Sequence, residues 1–270
     1  MLSPLQKRLL DMLQWFHELC VENGLKYYIA YGTMLGAVRH NGFIPWDDDI
    51  DVVVPRPDYD KLCQLIGDKK VEKYYLETVK SDRTDYLYGY AKLYDTTTTM
   101  IEHTRKDVVR GIFIDVFPLD GVGNTEKECF HNYKRIDRAN MFLATRICAI
   151  RKDRSLMKNI AVLCSRLIPS LFVNEKKLLV NLDKMCAKNG FDKKFVANCM
   201  STYRTKDIMD IEIFGTPTVY NFENIEVYGP EQYNAYLTHL YHDWKKLPPA
   251  DKRHAAHDFY DLDLEKPYME

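Results

Sequence analysis

The segment Trp46-Asp47-Asp48-Asp49-Ile50-Asp51 runs directly into Val52-Val53-Val54, and few folds can accommodate that junction. A run of β-branched apolar residues favours a buried strand. Four aspartates within five positions repel one another and need water or a cation. Strand periodicity of two puts Asp49 and Asp51 on one face. An isolated acidic pair of this kind is usually a solvated loop, but here the cluster enters an apolar strand.

Two further features reinforce the reading. Upstream, Tyr27–Tyr31 reads as a short buried strand ending at Gly32, and residues 33–39 as a short helix. Gly32 and Thr33 then occupy a strand-to-helix turn, where free N–H groups and the Thr33 hydroxyl can hold a phosphate. Downstream, Asp115 interrupts the apolar run Gly111-Ile112-Phe113-Ile114-Asp115-Val116-Phe117. An ionised carboxylate there is costly unless paired or metal-bound. If the two strands are neighbours, Asp49, Asp51 and Asp115 form one carboxylate site. Its oxygen-only donors suit Mg2+ or Mn2+, and Asp115 is the natural general base. Asp47 and Asp48 are read as supporting or helix-capping residues.

The rest of the pattern predicts a mixed α/β front and a mostly helical back, dividing into residues 1–122 and 123–270. A capping box at Ser3 and Gln6 opens a helix carrying Leu5, Leu9, Met12, Phe16 and Leu19 on one face, stopped by Asn23-Gly24. Strands are expected at 50–54, 74–79, 88–94 and 112–117, the last ended by Pro118, with a helix at 58–66. Helices are expected at 125–150, along Leu156, Ile160, Leu163 and Leu167, and along Leu178, Leu182 and Met185. The seven cysteines are odd in number and contain no C-x-x-C pair, so buried reduced thiols are expected. The formal net charge of −1 gives no reason to expect a nucleic-acid partner. With neither a signal peptide nor a membrane span apparent, a cytoplasmic location is expected.

The run from Tyr31-Gly32-Thr33-Met34-Leu35-Gly36 through Trp46-Asp47-Asp48-Asp49-Ile50-Asp51 closely resembles the LicD family of phosphocholine transferases, relatives of the fukutin-type ribitol-phosphate transferases. Ile114-Asp115-Val116-Phe117-Pro118-Leu119-Asp120 looks like a second family block, and Lys92-Leu93-Tyr94-Asp95 with Thr98 like a third. Tyr228-Gly229, Tyr233, Leu247-Pro248-Pro249, Lys252-Arg253 and His257 are similar to its C-terminal signature. The resemblance implies a nucleotidyltransferase-like fold of mixed α+β class, with a small mixed sheet flanked by helices. It also implies transfer of phosphocholine, or a similar phospho-alcohol, from a CDP-linked donor such as CDP-choline. The acceptor would be a hydroxyl of a cell-surface glycan: teichoic acid, lipopolysaccharide or a capsule precursor, in some cases lipid-linked. By position, Asp49, Asp51 and Asp115 become metal ligands, and Gly32 and Thr33 the phosphate turn. Where relatives often carry Tyr-Gly-Asp, this chain has Tyr241-His242-Asp243, which bears on the substrate pocket. Nucleotidyl transfer to a small molecule and a non-catalytic nucleotide-binding role are the alternatives.

Several residues have two readings. Arg39 and Lys92 are candidates to neutralise donor phosphates, or else are solvated. Trp46 is placed to stack on a base or a quaternary ammonium, or to pack. Arg253 and His257 belong to a tail that either folds over the donor or stays free. Tyr228, Tyr233, Tyr236 and Trp244 form either a choline cage or core. The segment 151–173, with Arg151, Lys152, Arg154, Lys158 and Arg166, packs on the front of the chain in the simpler reading. In the other it docks peripherally on the inner face of the cytoplasmic membrane.

Overall fold

Ser3 and Gln6 exchange the expected pair of bonds: Ser3 Oγ accepts from the Gln6 N–H at 3.1 Å, and Gln6 Oε1 accepts from the Ser3 N–H at 3.1 Å. Two donors of the first turn are thereby satisfied, and helix α1 (Pro4–Glu22) begins there. The structure, a computed structural model, describes residues 2–83, 85–86, 88–102, 107–147, 150, 155–167, 174–255 and 259–269. Leu9, Met12, Leu13, Phe16 and Cys20 of α1 enter the core, and Gly24, at φ +61°, turns the chain.

Strand β1 (Tyr28–Ile29) is shorter than expected, because helix α2 (Tyr31–His40) begins two residues earlier than predicted. Tertiary contact sets this start. The Tyr31 N–H donates to Tyr236 Oη at 3.1 Å while Tyr31 adopts φ +47°, a value uncommon outside glycine. Asn41, in the left-handed conformation at φ +56°, ends α2. There follow β2 (Asp51–Pro55), α3 (Arg56–Ile66), β3 (Lys70–Val71), β4 (Tyr74–Glu77), β5 (Ala91–Asp95), β6 (Thr99–Glu102), β7 (Val108–Arg110) and β8 (Phe113–Gly123).

The main sheet runs β1-β2-β8-β5-β4-β3. Its one parallel pair within this order is β2 with β8. Strand β8 is buried along its whole length and passes through Pro118, where the sequence had suggested a stop. The Asp115 N–H points to β2, donating to Ile50 O at 3.0 Å. By alternation, position 118 would point its N–H to the other side. There the pairing with β5 ends at Val116 and the next pairing begins only at Asp120. Pro118 therefore sits where no donor is needed.

Beyond Gly123 come α4 (Glu126–Ile147), α5 (Leu156–Leu167), α6 (Glu175–Ala187), β9 (Phe195–Ala197), β10 (Met209–Asp210), α7 (Ile211–Phe214), β11 (Thr218–Phe222), β12 (Ile225–Gly229), α8 (Tyr233–Tyr241) and β13 (Phe259–Asp263). Strand β9 returns to the sheet by pairing with β8. Tyr236, Leu237 and Leu240 of α8 pack in the same core as α1 and β2. The predicted apolar pattern of α5 forms a helix but not a buried face. Leu156, Met157, Ile160, Leu163 and Leu167 are exposed, while Val162 and Ser165 face inward. Bonds from Arg146 Nη1 to Ser165 O (2.6 Å) and from Ser165 Oγ to Thr145 O (3.0 Å) fix this orientation against α4. Cys20, Cys129, Cys186 and Cys199 are buried as expected; Cys164, on α5, is exposed.

Candidate active site

Asp51 and Asp115 are register partners across the parallel pair β2 and β8, so both side chains leave the same face of the sheet. Lys92 of β5 is the register partner of Asp115, and Glu77 of β4 that of Lys92. A row of ionisable residues thus crosses four adjacent strands: Asp51, Asp115, Lys92, Glu77. Arg110 continues it, its Nε donating to Glu77 Oε2 at 2.8 Å.

Asp49 belongs to the loop before β2, not to the strand, so its place is set by loop geometry instead of period-two alternation. That loop is anchored twice. The Asp47 N–H donates to Ile44 O at 2.9 Å, and Gln6 Nε2 of α1 donates to Asp47 O at 3.0 Å. Carboxylate oxygens of Asp47, Asp48 and Asp49 lie within 4.8 Å of one another.

A cavity of about 520 Å³ opens here, lined by Gly32 and the four carboxylates Asp47, Asp49, Asp51 and Asp115. The remaining lining comprises Tyr31, Tyr90, Phe117, Tyr203 and Tyr241, with Asn198, Met200, Ser201 and Thr202. Among the described lining residues there is no Lys, Arg or His. Burial raises the Asp51 carboxyl well above the ordinary carboxylate range, reinforced by Asp49, Asp115 and Asp47 and opposed by Lys92. Such a group binds a proton or a cation readily, and an oxygen-only, negatively charged donor set fits a hard divalent ion.

The candidate site residues Gly32, Asp49, Asp51 and Asp115 meet in this cavity, and Asp47, read from the sequence as a supporting or helix-capping residue, lines it as well. A Cβ on residue 32 would approach Asp47 Oδ2 to 2.9 Å, so glycine leaves room for that carboxylate. Thr33 lies behind it, buried, with Oγ1 accepting the Asp51 N–H at 2.9 Å. It positions the backbone of Asp51 and does not line the cavity. Lys92 is also behind. Its Nζ donates to Glu102 Oε1 at 3.0 Å, lies 3.3 Å from Asp115 Oδ1, and sits over the Phe113 and Tyr88 rings. Burial alone would lower its basicity, but Asp115 and Glu102 raise it above the usual lysine value, so it stays charged.

Arg39 lies near the far end of α2, its Nη1 donating to Trp244 O at 3.1 Å and its Nε to His40 at 3.0 Å. Trp46 is half-buried beneath the Arg253 guanidinium, 5.7 Å from the ring centre, and Arg253 Nε donates to Pro248 O at 2.9 Å. His257 lies outside the described residues. Of the four C-terminal aromatics, Tyr236 and Trp244 are core, and Tyr228 packs on Tyr27.

Nothing in the sequence pattern marks the segment 198–207 as part of the site. Asp207, buried, accepts from Tyr31 Oη at 2.6 Å and from the Asn198 N–H at 3.1 Å, and Asn198 Nδ2 donates to Tyr31 Oη at 3.0 Å. Burial raises the Asp207 carboxyl above its usual range, and these bonds oppose the rise. No periodicity marks a partner so distant from Tyr31 in the chain.

Residues 24–143 match the family model described as "LicD/FKTN/FKRP, nucleotidyltransferase domain". The chain is 30% identical over 257 residues to the lipopolysaccharide cholinephosphotransferase LicD of Haemophilus influenzae, covering 92% of each protein. It is 33% identical over 132 residues to an uncharacterised protein of Rickettsia typhi, covering 48% of this chain and 40% of that one. A 44-residue stretch is 41% identical to the human ribitol 5-phosphate transferase FKRP, covering 16% of this chain and 9% of that protein. The mixed sheet flanked by helices agrees with the matched domain, and with similarity along nearly its whole length to a LicD protein, this chain belongs to the LicD family.

Proposed function

We propose that the protein transfers phosphocholine from CDP-choline to a hydroxyl of a cell-surface glycan. The carrying observation is the cavity itself: four carboxylates and a set of aromatic rings, in a chain similar over 92% of its length to a lipopolysaccharide cholinephosphotransferase. Asp49, Asp51 and Asp115 would hold Mg2+ or Mn2+, which when bound offsets charge on the donor diphosphate. Thr33 fixes Asp51 through its backbone, and Lys92 sets a positive charge 3.3 Å from Asp115. The acceptor oxygen forms a bond to the phosphorus nearest choline, the bond from that phosphorus to the CMP oxygen breaks, and CMP leaves. The acceptor proton passes to a carboxylate of the cluster, Asp115 in this assignment.

Asp51→Asn and Asp115→Asn each remove charge with little change of shape. Each should lower transfer by about a hundredfold or more, with circular dichroism unchanged. Release of CMP together with labelled acceptor is the assay. Wild-type rates in either variant would rule out this site, and transfer of the nucleotidyl half would rule out this reaction.

We also propose that the reaction takes place at a membrane surface, on which α5 rests. No helix among the described residues is long and apolar enough to cross a membrane. Support comes from the outward Leu156, Met157, Ile160, Leu163 and Leu167 and from the basic residues around them in sequence. Arg151, Lys152, Arg154, residues 168–173 and the Arg166 side chain lie outside what the structure describes.

A further inference from the structure

Aromatic side chains share the cavity with the carboxylates, and the reaction as written does not use them. Their rings form a connected series. Tyr90 and Phe117 have centroids 4.2 Å apart, and Phe117 meets Tyr31 edge-on at 6.1 Å. Tyr31 stacks on Tyr203 at 5.4 Å with planes 12° apart, and Tyr203 meets Tyr241 edge-on at 5.9 Å. The series is pinned as well as packed: Tyr31 Oη is held by Asp207 and Asn198, and Tyr203 Oη donates to Tyr241 Oη at 3.1 Å. These rings are therefore held in place before any ligand arrives.

The chemistry of the lining narrows what they can receive. Aromatic faces are negative, and the carboxylates beside them are anionic, so the cavity attracts cations. A small divalent ion requires oxygen ligands and goes to the aspartates. A quaternary ammonium has no N–H to donate and is too bulky for close contact with carboxylates. It is weakly hydrated, and ring faces with nearby negative charge suit it. A neutral polyol would gain nothing from rings in place of hydrogen-bond partners.

We infer that the aromatic row centred on Tyr203 is the subsite for the quaternary ammonium head of the transferred group, selecting phosphocholine over phospho-alcohols that lack a cation. This rests on the phosphotransferase reading above, but its test does not. Calorimetric titration in Mg2+ compares phosphocholine with its uncharged isostere, 3,3-dimethylbutyl phosphate. The wild type should bind phosphocholine about tenfold more tightly or better. Tyr203→Leu should bring that ratio towards one. Tyr203→Phe, which keeps the ring face and loses only the bond to Tyr241, should retain most of it. Tyr90→Leu provides a second variant should Tyr203→Leu fail to fold, with the same loss of preference expected. Equal binding of the two ligands by the wild type, or an unchanged ratio in a folded leucine variant, would overturn the subsite. Transfer from CDP-choline is measured in parallel. Preference without transfer keeps the subsite and sinks the reaction; transfer without preference does the reverse.

Discussion

Lys92 shows how one side chain can serve a site without lining it. With its ammonium between Asp115 and Glu102, it offsets part of a charge density that would otherwise oppose folding. Lys92→Met should cost about 3–5 kcal/mol in urea unfolding, because it leaves buried carboxylates without their counter-charge. A cost under about 1 kcal/mol would mean that the pair contributes little. Asp51 and Asp115 were legible in the sequence because strand period and the cost of burying charge are local facts. Asp49 reaches the cavity as expected, though from a loop. The direction taken by Lys92 was not legible, since it depends on which residue of β8 stands opposite. Arg39 and Trp46 lie within the family block yet outside the cavity lining, for motif membership does not say which way a side chain points.

At the level of elements, helical periods and turn signals read well. The capping box and the Asn23-Gly24 stop both stand where the sequence puts them. Pro118 was misread because its tolerance depends on a gap between two neighbouring strands, which no single-strand pattern reveals. Helix α5 was read correctly as a helix, but its outward face follows from α4. That face gives a direct test. Wild-type protein should co-sediment at low salt with vesicles containing phosphatidylglycerol. Leu163→Asp combined with Leu167→Asp should lower the bound fraction by about tenfold or more, given roughly 1.5–3 kcal/mol for each leucine removed from lipid. Absence of wild-type binding would sink the docking proposal.

Across the whole molecule, the cavity is built from distant parts of the chain. Gln6 of α1 holds Asp47, Tyr236 of α8 caps Tyr31, and Asp207 ties Tyr31 to Asn198. None of these ties was legible, because each joins segments far apart in sequence through one polar atom. A ligand that completes the cavity should therefore stabilise the fold as a unit. Mg2+ with CDP-choline at about a hundred times its dissociation constant should add about 2.7 kcal/mol, seen as a rise of several degrees in Tm. EDTA or Asp51→Asn should abolish that rise. A rise unaffected by either would place donor binding elsewhere.

The charged row from Asp51 to Glu77 also limits how this sheet can diverge. A shift of one residue in β2, β8, β5 or β4 would turn a member of the row to the opposite face. Single-residue insertions or deletions within these strands should therefore remove stability and activity together. Within the row, divergence is left to substitution.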